Sequence, residues 1–249
     1  MNKQYIAKQI DTIVNEYIEF MGLVEFPTYQ LQYKEVSLLK ADAQGFDSIA
    51  QTFYQPMTGQ HILSVSSNLL LSKYVVFHEF THMLDSEMYV HGDKVRYAGL
   101  SGYTEYHASQ VELAHLLGAS SIESIPSFSM SKKITTLSGE KSVYQYVHEK
   151  YQHAIDLFSR KDFPANIDTL KSAFGVLFNY WGLRSICEMY AADYEEAINN
   201  TAFLRYIPTL LFVPLNKLMH GWMDKKQIDS SILLYTNSIF PIIQQYKLI

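Results

Sequence analysis

The chain has 249 residues, 48% of them hydrophobic and 18% charged, the composition of an ordinary globular protein built as one domain with an extension or as two small domains. A formal net charge of -5 leaves no excess of Lys and Arg to neutralise a phosphate backbone or an anionic bilayer, which excludes nucleic acid and membrane as expected partners. Cys187 is the only cysteine, so an intramolecular disulfide and a multi-cysteine zinc knuckle are both excluded, and a reducing, cytoplasmic setting is expected.

In the opening MNKQYIAKQIDTIVNEYIEF, charged and amide residues interrupt every apolar run, so no signal-peptide core is expected. Later apolar stretches such as 210–215 are too short to span a bilayer. Residues 3–22 place Ile6, Ile10, Ile13, Val14, Tyr17, Ile18 and Met21 at spacings of three and four, which predicts an amphipathic helix. From Thr28 to about Val65 the texture changes to short runs. Tyr29-Gln30-Leu31-Gln32-Tyr33 alternates, and Gln51-Thr52-Phe53-Tyr54 passes through the turn-forming Pro56-Met57-Thr58-Gly59 into His61-Ile62-Leu63-Ser64-Val65. That last run reads as an edge strand.

A helix capped by Ser67 or Asn68 is predicted over 69–89, and a second helix over 103–118. Residues 119–139 hold seven serines without periodicity and are expected to be a loop or boundary. Beyond them, helices are predicted over 140–160, 165–181, 183–199, 207–220 and 228–246. The expected division is therefore a core over 1–118, the boundary, and a helical region over 140–249. No internal repeat is present.

The first of these central helices carries His78-Glu79-Phe80-Thr81-His82. Residues four apart share one helix face, so His78 and His82 can offer imidazole nitrogens to one metal ion. Catalytic zinc takes three protein ligands and keeps a fourth position for water, whose pKa falls to about 7. Glu79, next to the first histidine but not itself a ligand, is placed to be the general base. Two histidines packed on a core helix are the alternative.

The third ligand decides the type of site. A third histidine six residues after the second is ruled out, because Met88 stands there. A glutamate some twenty or more residues downstream fits at Glu105, with Asp93, Glu87 and Glu112 as rivals. Asp85, three residues after His82, is a candidate to orient a zinc histidine. His91, His107, His115, Tyr97, Tyr103 and Tyr106 lie near enough in sequence to be considered as oxyanion donors.

The segment Glu105-Tyr106-His107-Ala108-Ser109-Gln110-Val111-Glu112-Leu113 resembles the Glu-x-x-Ala-(Asn/Asp/Glu) helix of ImmA/IrrE-like metallopeptidases. These are glutamate zincins common in phages and mobile elements, and the resemblance covers about residues 45–118. It implies Glu105 as the third zinc ligand, Ala108 as a packing contact between helices and Ser109 as the polar group beside a zinc histidine. The chain departs from the pattern in having Ser109 where a carboxylate or amide is usual, and Val111-Glu112 where an aromatic-alanine pair is usual.

The expected fold is α+β, with a zincin-like core: a small twisted sheet whose edge strand borders the cleft, an active-site helix, a glutamate helix and a helical C-terminal half. The expected function is zinc-dependent hydrolysis of a peptide or protein, with an extended substrate pairing along 61–65. The competing expectation is a zinc-containing binding module, with weak or lost hydrolysis, that engages a regulatory protein.

Overall fold

The N-terminal stripe forms α1 (Lys3–Met21), which buries Ile6, Ile10, Ile13, Tyr17 and Phe20. Each fully buried side chain of this kind is worth roughly 1.5–3 kcal/mol. The stripe ends on Phe20 rather than Met21, and Gly22 at φ +65° turns the chain out of the helix. The computed structural model describes residues 3–36, 49–196 and 200–248. Residues 45–48, where the expected resemblance begins, and 197–199, the end of the helix expected over 183–199, lie outside the described residues.

The chain divides into two compact units, Met1–Tyr97 with Val111–Pro126, and Ala98–Gln110 with Ser127–Ile249. The first holds α1 and a sheet of β1 (Tyr29–Lys34), β2 (Ala50–Gln55) and β3 (Gln60–Ser66). Its order is β1-β3-β2, with β1 parallel and β2 antiparallel to β3. The predicted turn joins β2 to β3: the Gln55 carbonyl accepts from Thr58 N at 3.1 Å and Gly59 N at 2.9 Å, with Gly59 at φ +68°. The expectation that 61–65 is an edge strand is overturned, because β3 is the central strand and its backbone pairs on both sides. Burial explains the error. Leu63, Ser64, Val65 and Ser66 are buried in succession, which is the texture of a strand covered on both faces rather than of an alternating edge.

The next helix, α2 (Lys73–Tyr89), starts after Ser72. Ser67 and Asn68, the expected caps, close the sheet instead: Ser67 Oγ donates to the Lys34 carbonyl, and Asn68 bonds both the N–H and the carbonyl of Val36. Helix α2 buries Tyr74, Val76, Phe77, Phe80, Thr81, Met83, Leu84, Asp85 and Ser86. Against it, the Tyr17 ring meets Phe77 and Phe80 edge-on at 5.1 and 5.5 Å, and Tyr17 Oη bonds Thr81 Oγ1 at 3.0 Å.

Helix α3 (Lys94–Leu116) begins nine residues before the predicted start at Tyr103. Asp93 caps it by accepting from Val95 N and Arg96 N at 2.8 and 3.1 Å. Its middle belongs to the second unit, where packing overrides the helix-breaking tendency of its glycines. A Cβ on Gly99 would sit 2.7 Å from Ile232 Cγ2, and one on Gly102 would sit 2.5 Å from Tyr235 Cδ2. Glycine is retained there because nothing larger fits.

The second unit also contains the hairpin β4 (Lys133–Thr136) and β5 (Gly139–Ser142), the latter starting where the expected loop ends. After the hairpin come α4 (Val143–Ser159), α5 (Ile167–Tyr190), α6 (Thr201–Leu204), α7 (Thr209–Leu218) and α8 (Lys225–Tyr246). Reciprocal capping boxes start three of these helices, at Ser142/Gln145, Asn166/Thr169 and Asp224/Gln227. One helix, α5, replaces the two predicted over 165–181 and 183–199. Gly182 does not break it: a Cβ there would stand 2.2 Å from the Tyr106 carbonyl oxygen, so the glycine marks close contact with α3. The class is α+β, and no described helix is long and apolar enough to cross a membrane.

Candidate metal centre

Helix α2 turns its most apolar residues, Val76, Phe77, Phe80 and Met83, into the core. His78 and His82 are left half-buried, with ring centroids 4.8 Å apart and planes at 79°. His78 Nδ1 lies 2.8 Å from Glu112 Oε2, and both side chains are largely covered. An ionised carboxylate only accepts, so Nδ1 carries the proton and Nε2 is the nitrogen left to ligate a metal.

Glu112 and Glu105 are seven residues apart on one continuous helix, a rise of about 10 Å. His78, His82 and Glu105 each offer one ligand atom, and these atoms all lie within 4.8 Å of one another. Zinc bonds of about 2.1 Å in tetrahedral geometry separate ligands by roughly 3.4 Å, which falls inside that span. Two imidazoles and one carboxylate form a donor set suited to that ion. In the second unit, a Cβ on Gly175 would lie 3.5 Å from Glu105 Oε1, an ordinary contact, so the carboxylate rests against this part of α5. Burial, and after it the charge of Glu105, push the Tyr235 hydroxyl above its ordinary pKa.

Glu79 is not part of this ligand group. Its Oε2 accepts from the backbone N–H of Thr52 at 2.7 Å, and Thr52 Oγ1 donates to the Glu79 carbonyl at 3.2 Å. The carboxylate is thus held at the outer edge of β2. Among the residues named from sequence, Thr52 was only part of a strand run. Its role was not visible because the sequence does not give the order of strands.

Ser109, expected beside a zinc histidine, is buried and donates its hydroxyl to Asn179 Oδ1 at 2.6 Å. The group found against His78 is Glu112, expected only as a rival ligand. Ala108 is fully buried. Asp85 is 1% exposed, and its charge acts on Tyr17. Asp93 is occupied as the α3 cap, and Glu87 bonds His61 Nε2 at 3.1 Å.

Of the other polar residues, Tyr106 Oη donates to the Gly221 carbonyl at 2.6 Å, Tyr103 stacks on His107 and His115 lies against Phe77. Burial pushes the Cys187 thiol up to about 12, which leaves it protonated and unreactive at neutral pH. Arg184, fully buried, donates to the carbonyls of Asn216 and Met219 and to Glu196, and ties α5 to the C-terminal end of α7. Nothing in the spacing of residues around Arg184 marks this role. No protein-family model, curated protein sequence or solved structure matches the chain at a significant level.

Proposed function

We propose that this chain is a zinc-dependent metallopeptidase with a zincin-like core, using glutamate as the third ligand. The observation that carries the reading is the convergence of His78, His82 and Glu105, with Glu79 adjacent in sequence and outside the ligand group. Zinc held by these three residues would supply Lewis acidity, polarising a substrate carbonyl and lowering the pKa of a coordinated water.

The protein's own groups do the remainder. Glu79 takes a proton from the attacking water and returns it to the leaving amine as the C–N bond breaks. Glu112 holds His78 in the tautomer that ligates through Nε2. The substrate is a peptide or protein segment. The outer strands of the sheet are β1 and β2, because β3 is central. The outward Thr52 N–H of β2 is already engaged by Glu79, which leaves β1 as the edge for an added strand.

Untagged protein is expected to carry close to one zinc per chain by mass spectrometry and to cleave members of a diverse peptide library. Glu79→Gln should keep the zinc and lose about 10²- to 10⁴-fold in turnover. Protein that neither carries nor takes up zinc ends this reading. Protein that holds zinc but cleaves nothing is a binding module instead.

A further inference from the structure

Thr52 lies on the outer strand of the sheet, paired across β2–β3 with Leu63. Its N–H donates to Glu79 on α2, so this donor points away from the β3 ladder. The Thr52 hydroxyl makes a second tie, to the backbone carbonyl of the same glutamate. A strand residue and a helix residue are thereby joined at both the side chain and the main chain of Glu79.

We propose that the Thr52 N–H is a positioning donor for the general base: it commits Glu79 Oε2 and assigns the proton transfer to Oε1. The inference rests on the peptidase reading of Glu79. A glutamate has three rotatable side-chain bonds, and a charge-assisted hydrogen bond at 2.7 Å selects one arrangement before substrate arrives. In the reaction, water gives a proton to Oε1 while its oxygen forms the bond to the carbonyl carbon and the C=O electron pair moves to oxygen. The proton then passes from Oε1 to the nitrogen as the C–N bond breaks. Through both transfers Oε2 remains an acceptor, so the tie to Thr52 survives the whole cycle.

Proline is tolerated on an edge strand where the N–H faces away from the ladder, so Thr52→Pro removes this donor, together with the hydroxyl that donates to the Glu79 carbonyl. Thr52→Val keeps the N–H and removes the hydroxyl. With a fluorogenic peptide chosen from those the wild type cleaves, Thr52→Pro should retain zinc and KM while kcat falls about 10- to 100-fold, the worth of a hydrogen bond to a charged group. Thr52→Val, which keeps the N–H and loses only the hydroxyl tie, should lose clearly less in kcat than Thr52→Pro. An unchanged kcat in Thr52→Pro, or equal losses in both variants, overturns the proposal. If Thr52→Pro does not fold, amide hydrogen exchange at Thr52 takes its place. Protection should persist in Glu79→Gln and disappear in Glu79→Ala, and protection that survives Glu79→Ala overturns the proposal. A wild type that cleaves no peptide overturns the peptidase reading, and the role with it, even where exchange detects the bond.

Discussion

Glu112 Oε2 stands 2.8 Å from Nδ1 of His78, so a carboxylate two helical turns beyond Glu105 holds the first histidine of the motif. Outer carboxylates of this kind orient a metal-binding imidazole and raise its basicity, and their loss costs about 10- to 100-fold in metal affinity. Glu112→Ala is expected to lose zinc affinity by that factor in a competitive chelator titration. Ser109→Ala, whose hydroxyl is engaged with Asn179, should bind zinc as the wild type does. The reverse ranking would return the orienting role to Ser109.

On the proposed zinc reading Glu105 is one of three ligands, and zinc affinity should then fall by orders of magnitude in Glu105→Ala. Asp93→Ala makes the contrast. Its carboxylate caps α3, so its loss should cost about 1 kcal/mol of stability and leave zinc in place. Metal content after a mild chelator wash, together with a denaturant midpoint, separates the two effects. Asp93→Ala that loses zinc while Glu105→Ala retains it would move the third ligand to Asp93.

How far the site was legible depended on distance along the chain. His78, Glu79 and His82 sit within five residues, and helical periodicity alone puts both histidines on one face. Glu105 needed only a neighbouring helix, although that helix starts at Lys94, after the Asp93 cap, and runs through Gly99 and Gly102, which pack against side chains of α8 and α5. Thr52 was out of reach, since its contact with Glu79 depends on β2 being an outer strand, and β3 was the strand read as the edge. Gly182 looked like a break between two helices for the same reason: a single sequence shows that the side chain is absent, but not the carbonyl of Tyr106 that requires its absence.

That contact predicts opposite outcomes for two glycines of α5. In an exposed helix, Gly→Ala gains about 1 kcal/mol. A Cβ on Gly182 would press to 2.2 Å from the Tyr106 carbonyl oxygen and 2.9 Å from Ser109 Cβ, where helix backbone cannot yield cheaply. Gly182→Ala should therefore destabilise by about 1–3 kcal/mol, the usual cost of overpacking. A Cβ on Gly175 meets nothing closer than Glu105 Oε1 at 3.5 Å, an ordinary contact, so Gly175→Ala should be neutral or stabilising. Denaturant unfolding of both variants checks this, and equal stability in the two would mean that α3 and α5 are not packed this closely.

His115 gives the fold a pH dependence of its own. Its ring centroid lies 4.6 Å from that of Phe77 and 6.1 Å from that of Phe20. Burial, and after it the charge of Lys73, hold its pKa below the ordinary 6.5, with Glu16 opposing in part. The unfolded chain therefore binds this proton at a higher pH than the folded chain does. Stability from a neutral His115 is complete above about pH 6.5 and is lost as the pH falls through the lower folded value. Metal binding at the proposed centre would add a pH dependence of its own, so the measurement belongs on chelator-treated protein. Between about pH 7.5 and pH 5.5, which brackets the ordinary histidine range, the wild-type denaturant midpoint should fall more steeply than that of His115→Gln. The slope is what matters, because the substitution also changes packing against Phe77 at every pH. Parallel slopes would mean that His115 takes up its proton as easily in the folded protein as in the unfolded chain.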